Sequence, residues 1–234
     1  MGNEPRSLYL LAGGRRGSRT SPDPLIQAVL RNSGVSSPEV AYVGTANGDD
    51  RWFFERMANH LRQAGAGKVD HAMIVPEKAD LRKAQRILYS ADVIFISGGD
   101  ADEGMRVLRD KGMVDFLREI YDDRKLFFGL SGGSIMLARK WVRWRDPNDD
   151  LSAELFPCLE FAPIICDTHD EQDNWGELKV ALRLAEDERG YGIVSGTALK
   201  VYANGKVEAL GGPVHQLLRR GKRIIRIPDI LPAS

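Results

Sequence analysis

Cysteine is scarce in this chain: Cys158 and Cys166 are the only two thiols in 234 residues. They form neither a CxxC motif nor a Cys/His spacing, which argues against a disulfide framework and against a thiolate metal centre. Charge of either sign is not in excess. Its 33 basic residues balance 33 acidic ones, so nothing draws the chain to nucleic acid or to an anionic membrane surface. No apolar run is long enough to span a bilayer. The amino-terminal segment lacks the apolar stretch of a signal peptide: Met1 to Arg6 is polar, and Ser7 to Ala12 is short and runs into Gly13-Gly14-Arg15-Arg16. These absences lead to the expectation of a cytoplasmic protein with no metal and no organic cofactor. Internal repeats, low-complexity stretches and linkers are absent too, so one domain is expected over residues 1–234.

What is present is a regular alternation. Strands are expected near 7–12, 39–45, 68–75, 92–97 and 125–130, and helices near 22–33, 50–64, 78–90, 101–110 and 112–121. The strands are continuous apolar runs, such as Val93-Ile94-Phe95-Ile96. Runs of that kind belong to strands covered on both faces, as in a doubly wound, mostly parallel α/β sheet flanked by helices. Several end in glycine or small polar residues: Gly13-Gly14, Gly44-Thr45, Gly98-Gly99-Asp100 and Gly129. Ligands in such sheets bind at the carboxyl ends of the strands, which makes these loops the expected rim of a site. The second half is less regular. A strand is expected at 162–166, a helix at 176–186 and short strands at 191–194, 198–202 and 206–210. Asn204-Gly205 between the last two signals a hairpin near the C-terminus. Trp141 and Trp144, three apart, read as packing residues at the edge of a helix. The acidic turn Asp146 to Asp150 lacks calcium-loop spacing and reads as solvated.

The most informative segment is Gly129-Leu130-Ser131-Gly132-Gly133, directly behind the apolar run Leu126-Phe127-Phe128 and ahead of a helix-forming stretch from Ser134. Strand, sharp turn and helix give the pattern G-x-S-x-G the context of a nucleophile elbow. The turn strains the serine backbone, and glycines on both sides relieve the crowding. Ser131 is therefore the candidate nucleophile.

A serine hydroxyl needs a base, and the chain offers four histidines. His60 falls in a helix and His71 in an apolar strand, so both read as structural. His169 follows the Ile164-Ile165-Cys166 run in a polar loop and is the preferred base; His215 is the second choice. Oxyanion donors are expected at the amide of Gly132, next after the serine, and at Gly98 or Gly99 in the preceding strand's loop. Arg15, Arg16 and Arg19 crowd the loop after the first strand, which reads either as a solvated basic loop or as the place where a guanidinium would hold a substrate carboxylate; Arg15, Arg16 and Asp100 are the candidate substrate-binding residues.

Three pieces taken together resemble the peptidase E and cyanophycinase family of serine peptidases, whose fold is related to class I glutamine amidotransferases. They are Phe95-Ile96-Ser97-Gly98-Gly99-Asp100, then Gly129 to Ser134, then Asp167-Thr168-His169. Tyr191-Gly192-Ile193 with Thr197-Ala198-Leu199, and Leu210-Gly211-Gly212, resemble later segments, so the likeness covers nearly the whole chain. The resemblance implies Ser131 as nucleophile, His169 as general base, and the amides of Gly99 and Gly132 as the oxyanion hole. It also implies a small peptide substrate with an acidic residue, and no cofactor; a homodimer is the candidate assembly.

Two positions depart from the family. Its elbow usually has alanine where Gly132 stands. Its histidine-orienting glutamate commonly falls in the interval that here reads Val194-Ser195-Gly196, which contains no carboxylate. Three readings stay open: Ser195 or a backbone carbonyl orients His169; a local carboxylate, Asp167, Asp170 or Asp173, substitutes; or the protein is a catalytically degenerate relative with a binding or regulatory role. A further alternative is an esterase working through Ser131 and His215.

Overall fold

A computed structural model of the chain describes residues 7–13, 22–185 and 189–233, without the side chain of Asp150. The apolar runs form the strands they predict, and acidic caps start most of the helices between them. In chain order these are β1 (Ser7–Leu11), α1 (Pro24–Arg31), β2 (Val40–Val43), α2 (Arg51–Gln63), β3 (Val69–His71), α3 (Leu81–Ser90), β4 (Val93–Ile96), α4 (Ala101–Asp110), α5 (Val114–Asp122), β5 (Leu126–Leu130) and α6 (Gly132–Leu137). The side chains of Asp23, Asp50, Asp80 and Asp100 accept first-turn amides of α1, α2, α3 and α4. Each satisfies amides that the helix itself leaves without acceptors.

The remaining elements are β6 (Lys140–Trp144), β7 (Ala153–Pro157), β8 (Ile165–Thr168), α7 (Gly176–Leu184), β9 (Arg189–Ile193), β10 (Ala198–Tyr202), β11 (Val207–Leu210), β12 (Val214–Arg220) and β13 (Arg223–Ile230). The central sheet has the order β11-β10-β1-β5-β4-β2-β3. Strands β1, β5, β4, β2 and β3 run parallel. The antiparallel hairpin β10–β11, turned at Asn204-Gly205, extends the β1 edge. Side chains alternate between two apolar clusters, one on each face. Leu8, Leu10, Ile94, Ile96 and Phe127 point into one; Tyr9, Leu11, Val93, Phe95 and Phe128 point into the other. Burial on both faces is why these strands read as unbroken apolar runs.

The second half departs from the expectation in two respects. A separate four-stranded sheet, β13-β12-β9-β8, stands beside the first. The helix after the elbow stops at Leu137, and Trp141 and Trp144 lie on β6, paired with β7 in a two-stranded ribbon. The expected helix-edge role of the two tryptophans is thus corrected to a strand. Strand β5 occupies the middle of the central sheet. Its carboxyl end and those of β1 and β4 open on the same rim, and β8 reaches that rim from the second sheet.

Candidate active site

Ser131 follows β5 with φ 53° and ψ −126°, a backbone region that a non-glycine residue occupies only when its surroundings enforce it. The enforcement is visible. Its amide donates to the Leu11 carbonyl at 2.9 Å, and its carbonyl accepts from the amides of Ser134 and Ile135 at 2.8 and 3.3 Å. The Ser134 hydroxyl donates to the same Leu11 carbonyl at 2.9 Å. Glycine is required on either side. A Cβ on Gly129 would stand 2.5 Å from the Ser134 nitrogen, and one on Gly133 would stand 2.1 Å from the Ile96 carbonyl oxygen.

His169 sits one residue past β8, also at positive φ (48°), with its amide donating to the Ile193 carbonyl at 2.9 Å. Its Nε2 lies 2.7 Å from Ser131 Oγ. The two residues, 38 apart in sequence, are thus brought to hydrogen-bonding distance by two different sheets. The His169 side of this pair is exposed, and among the described residues only Ser131 hydrogen-bonds its ring.

Of the side chains considered as orienters, Asp167, Asp170 and Ser195 make no hydrogen bond to the His169 ring, and the buried Oδ2 atoms of Asp167 and Asp170 have no hydrogen-bond partner among the described residues. Asp167 is buried and accepts the Thr168 amide at 2.7 Å. Burial pushes its carboxyl up to about 8, with Asp170 and Glu177 adding to the rise, so at neutral pH it is largely uncharged. Burial together with Asp173 raises the pKa of Asp170 as well. Ser195 donates its amide to Glu171 at 3.3 and 3.4 Å, and its hydroxyl bonds the same carboxylate. Glu171 is the group that sequence reasoning passed over. Burial pushes its pKa up, but the Ser195 bonds and the nearby imidazole of His169 outweigh burial and keep it below the ordinary glutamate value. It stands two residues beyond the histidine, and that adjacency was the only sequence signal for it.

The oxyanion side is built from backbone. A Cβ on Gly98 would stand 3.1 Å from Ser131 Cβ, and one on Gly132 would stand 2.1 Å from the Gly99 oxygen. Gly99 adopts φ 143°, where a side chain would meet the Ala46 oxygen at 2.0 Å. The amides of Gly99 and Gly132 donate to no described residue.

The other candidates lie apart. His71 bonds Asp49 at 3.0 Å, and His60 is exposed on α2. His215 accepts the Trp175 indole N–H at 2.9 Å and faces Asp229 at 4.0 Å. The esterase alternative is corrected on this ground, because Ser131 is paired with His169 and the His215 ring is held by Trp175. Asp100 caps α4, accepting the amides of Asp102 and Glu103 at 2.9 and 3.1 Å. Arg15, Arg16 and Arg19 lie outside the described residues. Both cysteines are buried and free, and burial raises their pKa values. Among the described residues no cluster of metal-binding side chains occurs, and no helix is long and apolar enough to cross a membrane.

The sequence profile of peptidase family S51 matches residues 8–209, which takes in β1, the elbow, His169 and the β10–β11 hairpin. The chain belongs to peptidase family S51. It is 24% identical over 128 residues to an uncharacterized peptidase, YgaJ, of Bacillus subtilis (strain 168). That alignment spans 54% of either protein, about half the length of each. Solved structures share the fold of this chain. A peptidase from an acI-B1 Actinobacterium superposes with a TM-score of 0.72 at 17% identity, covering 97% of each chain. A candidate peptidase E protein from Listeria monocytogenes EGD-e gives 0.64 at 16% identity, over 88% of this chain and 98% of its own.

Proposed function

We propose that this S51 chain is a serine peptidase that cleaves small peptides through an acyl-enzyme on Ser131. The observation that carries the reading is the 2.7 Å contact between Ser131 Oγ and His169 Nε2 on a strained elbow. In this reading His169 takes the hydroxyl proton as Oγ attacks the scissile carbonyl, then passes it to the leaving amine. The amides of Gly99 and Gly132 receive the charge that develops on the carbonyl oxygen. Water attacks the acyl-enzyme, with His169 again as base, and releases Ser131. Glu171 stabilises the transient imidazolium electrostatically, in place of a carboxylate bonded to the ring. The preference for an acidic residue rests on Arg15 and Arg16 as carboxylate ligands.

The test is labelling with a fluorophosphonate probe, comparing wild type with Ser131→Ala and His169→Ala, followed by a peptide library read by mass spectrometry. Labelling of wild type alone, with cleavage of short Asp-containing peptides, is the expected result. A folded wild type that does not label would overturn the reading and favour the degenerate binding protein.

A further inference from the structure

The loop after β2 runs Gly44-Thr45-Ala46-Asn47-Gly48-Asp49, and its position directly beneath the oxyanion loop gives it work that the mechanism has not yet used. The Asn47 side-chain nitrogen stands 3.0 Å from the Gly98 carbonyl oxygen, 2.9 Å from Tyr42 Oη and 2.9 Å from Ser97 Oγ. The carbonyl fixes which way the carboxamide faces. A peptide oxygen has no hydrogen to give, so the Asn47 nitrogen must face it and donate.

That bond sets the orientation of one peptide plane. Peptides here are trans, so the carbonyl of Gly98 and the N–H of Gly99 point in opposite directions. With the carbonyl held down toward Asn47, the Gly99 N–H is turned to the opposite side. The same two glycines border the elbow: Gly98 packs on Ser131 Cβ and the Gly99 oxygen abuts Gly132. The next peptide is fixed from the same loop, because the Asp100 amide donates to the Ala46 carbonyl at 2.8 Å. Two glycines in succession have little intrinsic preference between the two orientations of the plane joining them. An external bond must choose, and Asn47 makes that bond.

We infer that Asn47 is a positioning residue for the oxyanion hole, locking the Gly98–Gly99 peptide with the Gly99 N–H aimed at the reacting carbonyl oxygen. The inference rests on the Ser131–His169 reading above. Asn47 makes no hydrogen bond to Ser131 and acts through the oxyanion loop, at the Gly98 carbonyl and beside Ser97 Oγ. The base is left untouched, so the effect belongs to the rate of forming the tetrahedral species and not to deprotonation of Ser131.

The experiment measures the rate of fluorophosphonate labelling in wild type, Asn47→Asp, Asn47→Ala and Tyr42→Phe. Asn47→Asp keeps the size of the side chain but turns only acceptors toward the Gly98 oxygen, which favours the flipped peptide. Labelling is expected to slow by roughly 10- to 100-fold in both Asn47 variants, somewhat less than deletion of a whole oxyanion donor. Tyr42→Phe removes a neighbour of Asn47 without touching its bond to Gly98 and is expected to label at close to the wild-type rate. A second readout needs no variant: in wild type, the amide protons of Gly99 and Gly132 should both move downfield in the NMR spectrum when the phosphonyl adduct forms. Undiminished labelling in both Asn47 variants, or a Gly99 amide that does not move on adduct formation, would overturn the inference and leave the peptidase reading intact. A folded wild type that never labels overturns both.

Discussion

The two halves of the candidate site are held in very different ways. On the oxyanion side every peptide from Ser97 to Asp100 is bonded to a neighbour or packed against one. Behind it, Asp49 anchors the supporting loop, accepting from Ile74 at 2.6 Å and Val75 at 2.8 Å and bonding His71 at 3.0 Å. Burial pushes the Asp49 pKa up, but those partners outweigh it and leave the carboxyl below its ordinary value. The base side is looser. His169 is exposed at a positive φ, its ring has one partner among the described residues, and Glu171, whose charge interacts with it, is bonded to the Ser195 amide. Stabilising an oxyanion requires fixed dipoles. A histidine that must accept and later release a proton tolerates a weaker hold, at a cost in rate.

The comparison is broken most directly by crowding the rigid side. Gly132→Ala would place a methyl 2.1 Å from the Gly99 oxygen. The loop must retreat, and fluorophosphonate labelling should fall by about 10²–10³, as when an oxyanion donor is lost. Removing the anchor comes next. Asp49→Ala leaves the buried amide of Ile74 and the partly buried amide of Val75 without an acceptor, and urea unfolding at neutral pH should show a loss of roughly 2–4 kcal/mol.

Asp167→Asn tests the ground beneath the base. The Asp167 carboxyl holds its proton to about 8 against an ordinary 3.8, so between those values the unfolded chain ionises while the native state does not. Native stability from this group is therefore full in acid and is lost as pH rises toward about 8. The asparagine variant keeps an acceptor for the Thr168 amide and does not ionise. Its stability relative to wild type should grow between about pH 5 and about pH 8, with a slope of at most about 1.4 kcal/mol per pH unit. A flat difference would mean that Asp167, beside Asp170 and Glu177, titrates normally. The smallest effect belongs to Glu171→Gln. Loss of its charge should slow labelling by about tenfold or less, since the interaction is partly screened, and should move the acidic limb of the rate–pH profile to lower pH. A change as large as that of Gly132→Ala would show that the base side is held as tightly as the other.

The central sheet was legible because its strands are buried on both faces and carry no alternation to confuse. The second sheet was not. Strand β13 is largely exposed, and its Arg-rich hairpin, Arg219 to Arg226, hides two strands behind charge. Trp141 and Trp144 fit a helical spacing as well as a strand, and only pairing with β7 decides between them. Within the site, Ser131 and His169 were readable because turn chemistry is local. Asn47 acts on a carbonyl 51 residues away, and that contact has no trace in its neighbours beyond the loop's richness in glycine and polar residues. Glu171 was overlooked because the missing carboxylate was sought on the Val194–Gly196 segment and among the aspartates, whereas this glutamate reaches Ser195 from across the gap.

The near-contact between residue 132 and the Gly99 oxygen makes the elbow and the oxyanion loop a matched pair, like two halves of a mould. An elbow transplanted from a relative with alanine at that position would not seat against this loop unless the loop came with it. The segment from Gly44 to Asn47 would have to travel too, since it grips the loop from below. Chimeras that exchange all three segments should retain labelling, and those that exchange the elbow alone should lose it.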